Sequence, residues 1–228
     1  MSVKQRNPTQ REWSQHDAAL WHTCEIAVDL VAGNRPRPAM EVLTPFPLRL
    51  GPDERVWASG EFQVADFRAV GDGSYVHNSG FFLGRGIVGL AGSVAFLAGQ
   101  AAVNKSRRDA AAEAAAPRWV VVDQGLVYLT AYGCYLASGG LGTWPYRAIS
   151  GGEMVGPREF NFYGQTPQGP VNLILVSDWA ELAFITWALA VHPRHPQLLG
   201  GGWLPPDWLA WCASQGYRTR LPAPALTR

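Results

Sequence analysis

The chain is poor in charge and in cysteine. Charged residues make up 16% of its 228 positions, against roughly a quarter in an average soluble domain. Its 19 basic and 18 acidic side chains leave a formal charge of +1, so no basic field draws in nucleic acid. The cysteines, Cys24, Cys134 and Cys212, are odd in number and far apart, and no C-x-x-C occurs; a zinc knuckle or redox dithiol has no sequence support. No G-x-S-x-G marks a nucleophile elbow. The opening "MSVKQRNPTQREWSQHD" lacks the apolar core of a secretory signal, so a reducing, cytoplasmic setting is the expectation. Glycine (25) and proline (17) stand where charge is missing, beside a 47% hydrophobic content. That is the profile of a turn-rich β protein rather than of a disordered chain.

Residues 9–33 place Trp13, Ala18, Leu20, Trp21, Ile26, Ala27, Leu30 and Val31 near a 3.6-residue period. This predicts an amphipathic helix stopped at Gly33, followed by a proline-rich extended connector. "VWASGEFQVADFRAVGDGSYVHN" predicts two strands about a Gly-Asp-Gly turn, and "KSRRDAAAEAAAP" an alanine helix stopped by Pro117. "RWVVVDQGLVYLTAYGCYLAS" predicts strands at Trp119–Val122, Val127–Thr130 and Cys134–Ala137, with turns at Asp123–Gly125 and Tyr132–Gly133. "GTWPYRAISGGEMV", "REFNFYG" and "PVNLILVSD" continue as short strands, and no connection between them is long enough for a crossover helix, so the pairing is antiparallel. A last helix, residues 177–193, takes Asp178 as its N-cap and Glu181 as the capping-box partner. It is too apolar to be freely solvated and must lie over a sheet or a barrel mouth.

"LGRGIVGLAGSVAFLAGQAAV", residues 83–103, admits three readings. Gly84, Gly86 and Gly89 spell G-x-G-x-x-G, the pattern of a dinucleotide cradle in a nucleotide-binding enzyme, but the second strand of a βαβ unit is missing where "NKSRRDAAAEAAA" stands. Residues 86–103 carry no charge and are followed by Lys105, Arg107 and Arg108, which suits a membrane span with a positive flank. The third reading, preferred here, is a helix whose small face, Gly86, Gly89 and Gly92, allows close backbone approach in packing or self-association.

Other candidates have plainer explanations. His192 and His195 follow a helix without a carboxylate motif, so a metal site is not expected. His16, Asp17 and His22 read as surface residues of the first helix, and Cys24 and Cys134 as small buried side chains. Trp119, Trp144, Trp179 and Trp187 occupy apolar positions of predicted elements and are expected in the core. Trp203, Trp208 and Trp211 lie in a proline-punctuated tail and are candidates for an exposed aromatic surface, against the alternative that they fold back over the body.

The order "GLVYLTAYGCYLAS" (strand, Thr, turn, strand), then "WPYRAI", then the helix 178–192, resembles the bacterial pleckstrin-homology-like (PH-like, or GRAM-like) domains across residues 116–192. "LRLGPDERVWASGEF" is similar to the approach that opens such domains, although Pro52 and Asp53 precede Glu54. The resemblance implies an α+β fold: a PH-like antiparallel β-barrel, or two orthogonal sheets, with a capping C-terminal helix. To this the sequence adds an N-terminal helix with connector (1–40), a Gly/Ala-rich helical insertion (82–115) inside a β domain spanning 41–195, and a Trp/Pro-rich tail (196–228). It further implies a non-catalytic, cofactor-free interaction module that binds a protein partner or the inner membrane surface. The integral membrane protein anchored by 86–103 and the nucleotide-binding enzyme are the alternatives. The candidate interaction residues are Gly86, Gly89, Gly92, Lys105, Arg107, Arg108, Trp203, Trp208 and Trp211. Arg147 and Arg158 fall in separate segments and make no basic signature for a lipid head group.

Overall fold

Ser14 and Asp17 start the first helix, α1 (Gln15–Val31), with a reciprocal capping box: the Ser14 hydroxyl accepts from the Asp17 N–H, and the Asp17 carboxylate accepts from the Ser14 N–H. Gly33, at φ +71°, follows its end in the left-handed conformation that stops a helix. The computed structural model describes residues 11–37, 50–68, 116–166 and 169–221. The chain divides into two compact units, Met1–Ala65 with Val121–Arg228, and Asp66–Val120. The first helix, most of the sheet and the described C-terminal segment therefore share one unit.

The protein is α+β, with one curled seven-stranded antiparallel sheet and four helices among the described residues. The strands are β1 (Ala58–Arg68), β2 (Arg118–Leu129), β3 (Gly133–Ala137), β4 (Leu141–Pro145), β5 (Ile149–Gly156), β6 (Glu159–Thr166) and β7 (Gly169–Ser177). Their order in the sheet is β4-β3-β2-β1-β7-β6-β5. The second strand and the alanine helix expected between Ala69 and Ala115 lie outside the described residues.

The turn expected at Asp123–Gly125 does not form, and β2 runs straight through it. Gly125 instead serves close approach: a Cβ there would lie 2.0 Å from the Ala137 carbonyl oxygen on β3. The turn after β2 is set by Thr130, whose hydroxyl accepts from the N–H groups of Tyr132 and Gly133 and donates to Glu54 Oε1 at 2.6 Å. Glu54 also accepts from the Tyr135 hydroxyl and the Gly51 N–H, which ties the approach to β1 onto the β2–β3 turn. Curling of the sheet is visible at Trp144. Four strands separate β4 from β6 in sheet order, yet the Trp144 ring stands edge-on to Phe162 at 5.3 Å. Gly164 leaves it room, since a Cβ at that position would meet the indole at 2.8 Å.

The apolar helix, α2 (Ala180–Val191), packs against β3, β5, β6, β7 and the 3-10 turn at Tyr146–Ala148, and also against α1. Every residue from Ala180 to Ala188 is buried. Asp178 is not the cap: it pairs with Arg158 at 2.8 Å, while the Trp179 N–H bonds the Ser177 hydroxyl and Glu181 turns fully inward. Two short helices follow, α3 (Pro196–Leu199) and α4 (Trp208–Ser214). Trp187 is the centre of the core. It packs on Phe160 and Phe184, lies beneath the rings of His192 and His195, and donates to the Ile149 carbonyl at 3.2 Å. Trp187→Ala should cost about 3–5 kcal/mol, read as a lowered midpoint in urea denaturation.

Candidate functional site

Two strand ends carry the most conspicuous exposed chemistry. In the smaller unit, β1 closes on Phe67–Arg68 and β2 opens on Arg118–Trp119. These neighbouring strands bring Phe67 and Trp119 to 5.3 Å between ring centroids, tilted at 55°. Both rings face solvent, Phe67 at 50% and Trp119 at 42% exposure, and both arginines are exposed. A sheet stabilised by its core hides one face of each strand, whereas β2 has no buried residue before Val127. Trp119 was expected in the core; the structure leaves it exposed, in a part of β2 where no described residue before Val127 is buried. Phe67 carried no sequence signal on its own. The usable clue was that two aromatic–arginine pairs flank the long connection between β1 and β2.

That connection contains Gly84, Gly86, Gly89, Gly92, Lys105, Arg107 and Arg108, all of which lie outside the described residues, as does the whole of 86–103. Among the described residues no helix is long and apolar enough to cross a membrane, and α2, at 12 residues, extends only about 18 Å.

The tail tryptophans do not form an exposed surface. Trp203 and Trp208 are 3% and 1% exposed, and the Trp208 indole donates to Asp17 Oδ1 at 2.8 Å. Trp211 is half-buried in a stack: Trp13 lies over it at 5.5 Å, Tyr217 covers the Trp13 ring at 4.0 Å, and the Arg11 guanidinium sits 4.0 Å from the Trp211 centroid. The tail folds back because these rings cover α1. Arg220 finishes the closure by gripping Glu25 and Asp29 of α1.

His16 and Asp17, expected at the surface, are structural. His16 Nε2 lies 3.0 Å from Glu181 Oε1 on α2, and Asp17 is fully buried. Burial works to raise the Asp17 pKa. Hydrogen bonds from the Ser14 hydroxyl, the Ser14 N–H and the Trp208 indole, with the Arg11 guanidinium beside it, outweigh that and hold the carboxyl below its ordinary value. His22 is half-buried, and burial lowers its pKa.

The remaining candidates offer less. The His192 and His195 rings pack on Trp187; His192 Nε2 donates to the Ser150 carbonyl, and His195 Nδ1 accepts from the Gln197 N–H. Among the described residues no group of three or more metal-ligating side chains forms. Burial pushes all three thiols upward, Cys134 to about 12, which works against thiolate chemistry. Arg147 is exposed on the 3-10 turn, and the Arg158 guanidinium is engaged with Asp178, so the two do not converge. An open groove of about 710 Å³ runs past Glu61, Gln63, Gln124, Arg158 and Glu159, with both charge signs on its walls.

The Asp17 network gives a prediction with a definite sign. Because the native carboxyl titrates below the unfolded value of 3.8, its stabilisation is complete above that pH and is lost as the pH falls through the native value. Asp17→Asn should lose about 1–3 kcal/mol at pH 7, and its gap from wild type should narrow in acid, both measured by urea denaturation at a series of pH values. Comparison of the chain with family models, with curated proteins and with solved structures returns no match.

Proposed function

We propose that the chain is a non-catalytic interaction module of PH-like architecture that works at the inner membrane surface through the paired ends of β1 and β2. The observation that carries this is the solvent-facing Phe67–Trp119 ring pair, with exposed Arg68 and Arg118 as the adjoining residues of the same strand ends. Aromatic rings with one apolar and one wet side favour the head-group layer of a bilayer, and neighbouring arginines are attracted to anionic lipid. Between them in sequence runs the segment with the uncharged stretch 86–103 and the cations Lys105, Arg107 and Arg108, so apolar and basic character are concentrated on this part of the chain. Support for the PH-like architecture comes from the meandering order β4-β3-β2-β1-β7-β6-β5 and from the apolar helix α2 against the curled sheet. Gly86, Gly89 and Gly92 remain proposed as a small face for close packing or self-association.

Sedimentation of the full chain with lipid vesicles tests this reading. The protein should pellet with vesicles rich in phosphatidylglycerol and much less with phosphatidylcholine alone. Arg68→Glu with Arg118→Glu should weaken binding by about fivefold per arginine, following roughly 1 kcal/mol for each basic residue near an anionic surface. Phe67→Ser with Trp119→Ser should abolish most of it, with the thermal midpoint unchanged because both rings are exposed. Membranes from producing cells, washed in alkaline carbonate, should release the protein; retention would point to a span at 86–103. Equal pelleting of wild type and both variants would sink the proposal and leave a protein partner as the better account of the pair.

A further inference from the structure

The sheet ends in two edge strands, β4 and β5. An open edge is a template for another strand, and proteins blunt such edges in identifiable ways. β4 is five residues long and ends at Pro145, which has no N–H to offer. β5 is longer, and its outer edge is occupied by side chains. The Trp187 indole donates to the Ile149 carbonyl at 3.2 Å, and His192 Nε2 donates to the Ser150 carbonyl at 3.2 Å. Gln197, on α3, then makes both bonds that a neighbouring strand would make: its Oε1 accepts from the Met154 N–H at 2.9 Å, and its Nε2 donates to the Met154 carbonyl at 2.8 Å. One side-chain amide thus stands in for a peptide group of an absent strand.

The same geometry suggests what the edge would accept. From Gly151 to Met154, β5 pairs regularly with β6, between a bulge on either side. Met154 turns its N–H and C=O outward, so strand alternation turns those of Gly152 outward as well. A second copy laid antiparallel about Gly152 sets Gly152 against its own counterpart and Ser150 against Met154. Glu153 then falls opposite Gly151, so no like charges face each other across the pair.

We propose that the β5 edge is a latent self-association surface, held shut by the Gln197 amide, and that β5 of a second copy of this chain occupies it when the segment carrying Gln197 lifts. Two variants of the full chain separate edge pairing from simple destabilisation. Gln197→Ala alone and Gln197→Ala combined with Ser150→Lys lose the same pair of hydrogen bonds, but the second puts a lysine on β5 itself, where it opposes strand addition. In size-exclusion chromatography with light scattering, at rising concentration, Gln197→Ala should reach twice the wild-type mass while the variant that also carries Ser150→Lys keeps it. Hydrogen exchange at the Met154 amide of the alanine variant should slow as the mass rises. The proposal is overturned if Gln197→Ala keeps the wild-type mass, or if both variants associate.

Discussion

A helix with no face for water must be covered on every side, and α2 from Ala180 to Ala188 is such a helix. Leu182, Phe184, Ile185 and Trp187 are each 0% exposed, and burying side chains of this size contributes roughly 1.5–3 kcal/mol apiece. No exposed ion pair in the molecule approaches their sum, since such pairs contribute on the order of 0–1 kcal/mol. The curled sheet covers part of α2, and α1 also packs against it. The described parts of the N-terminal and C-terminal segments therefore complete the core, because α2 would be half wet without them.

Apolar burial places α2, and polar groups decide how its covers sit. Thr186 bonds back to the Leu182 carbonyl and pairs with the Tyr146 hydroxyl at 2.6 Å, so the 3-10 turn is fastened to the helix from inside the core. Glu181 shares Oε1 between His16 of α1 and the Arg158 N–H at the β5–β6 turn. Asp17 joins the start of α1 to Trp208 of α4. A buried carboxylate is costly unless its hydrogen bonds are met, so these partners disfavour other seatings of α1. The left-handed backbone at Arg158, φ +69°, occurs where its N–H reaches Glu181 and its guanidinium reaches Asp178.

These contacts also explain which parts of the fold were legible in the sequence. The first helix and its stop at Gly33, the strand series from Trp119 to Ser177 and the last long helix all follow from local periodicity and turn residues, and all are present. The errors arise where a local signal competes with a tertiary partner. Asp123–Gly125 has turn chemistry, but sheet pairing needs Gly125 for its closeness to Ala137. Asp178 and Glu181 have capping spacing, but Arg158 takes the first and the core takes the second. Asp17 looks like a surface acid until Trp208, far along the chain, supplies its donor. The capping box that does form lies at the other long helix, between Ser14 and Asp17 of α1, and was not read from the sequence. Trp203 and Trp208 were offered as a surface because prolines and glycines surround them. No local pattern shows that α1 needs their cover.

The same comparison bears on the strand ends at Phe67 and Trp119. Trp57, Trp179, Trp187, Trp203 and Trp208 are all at or below 5% exposure, and among the described residues Trp119 is the one exposed tryptophan. The chain has the means to bury large rings, as the folded-back tail demonstrates with rings that sit among prolines. Leaving an indole beside a phenyl ring half in water forgoes part of the roughly 1.5–3 kcal/mol that full burial of a large apolar side chain contributes. Arg68 and Arg118 adjoin the two rings in sequence, so a partner that takes in both strand ends meets cations as well as apolar rings. A neutral, dry protein groove would have to desolvate two guanidinium groups. An anionic bilayer accepts the rings at its head-group layer and the guanidinium groups at its phosphates without removing either charge from water.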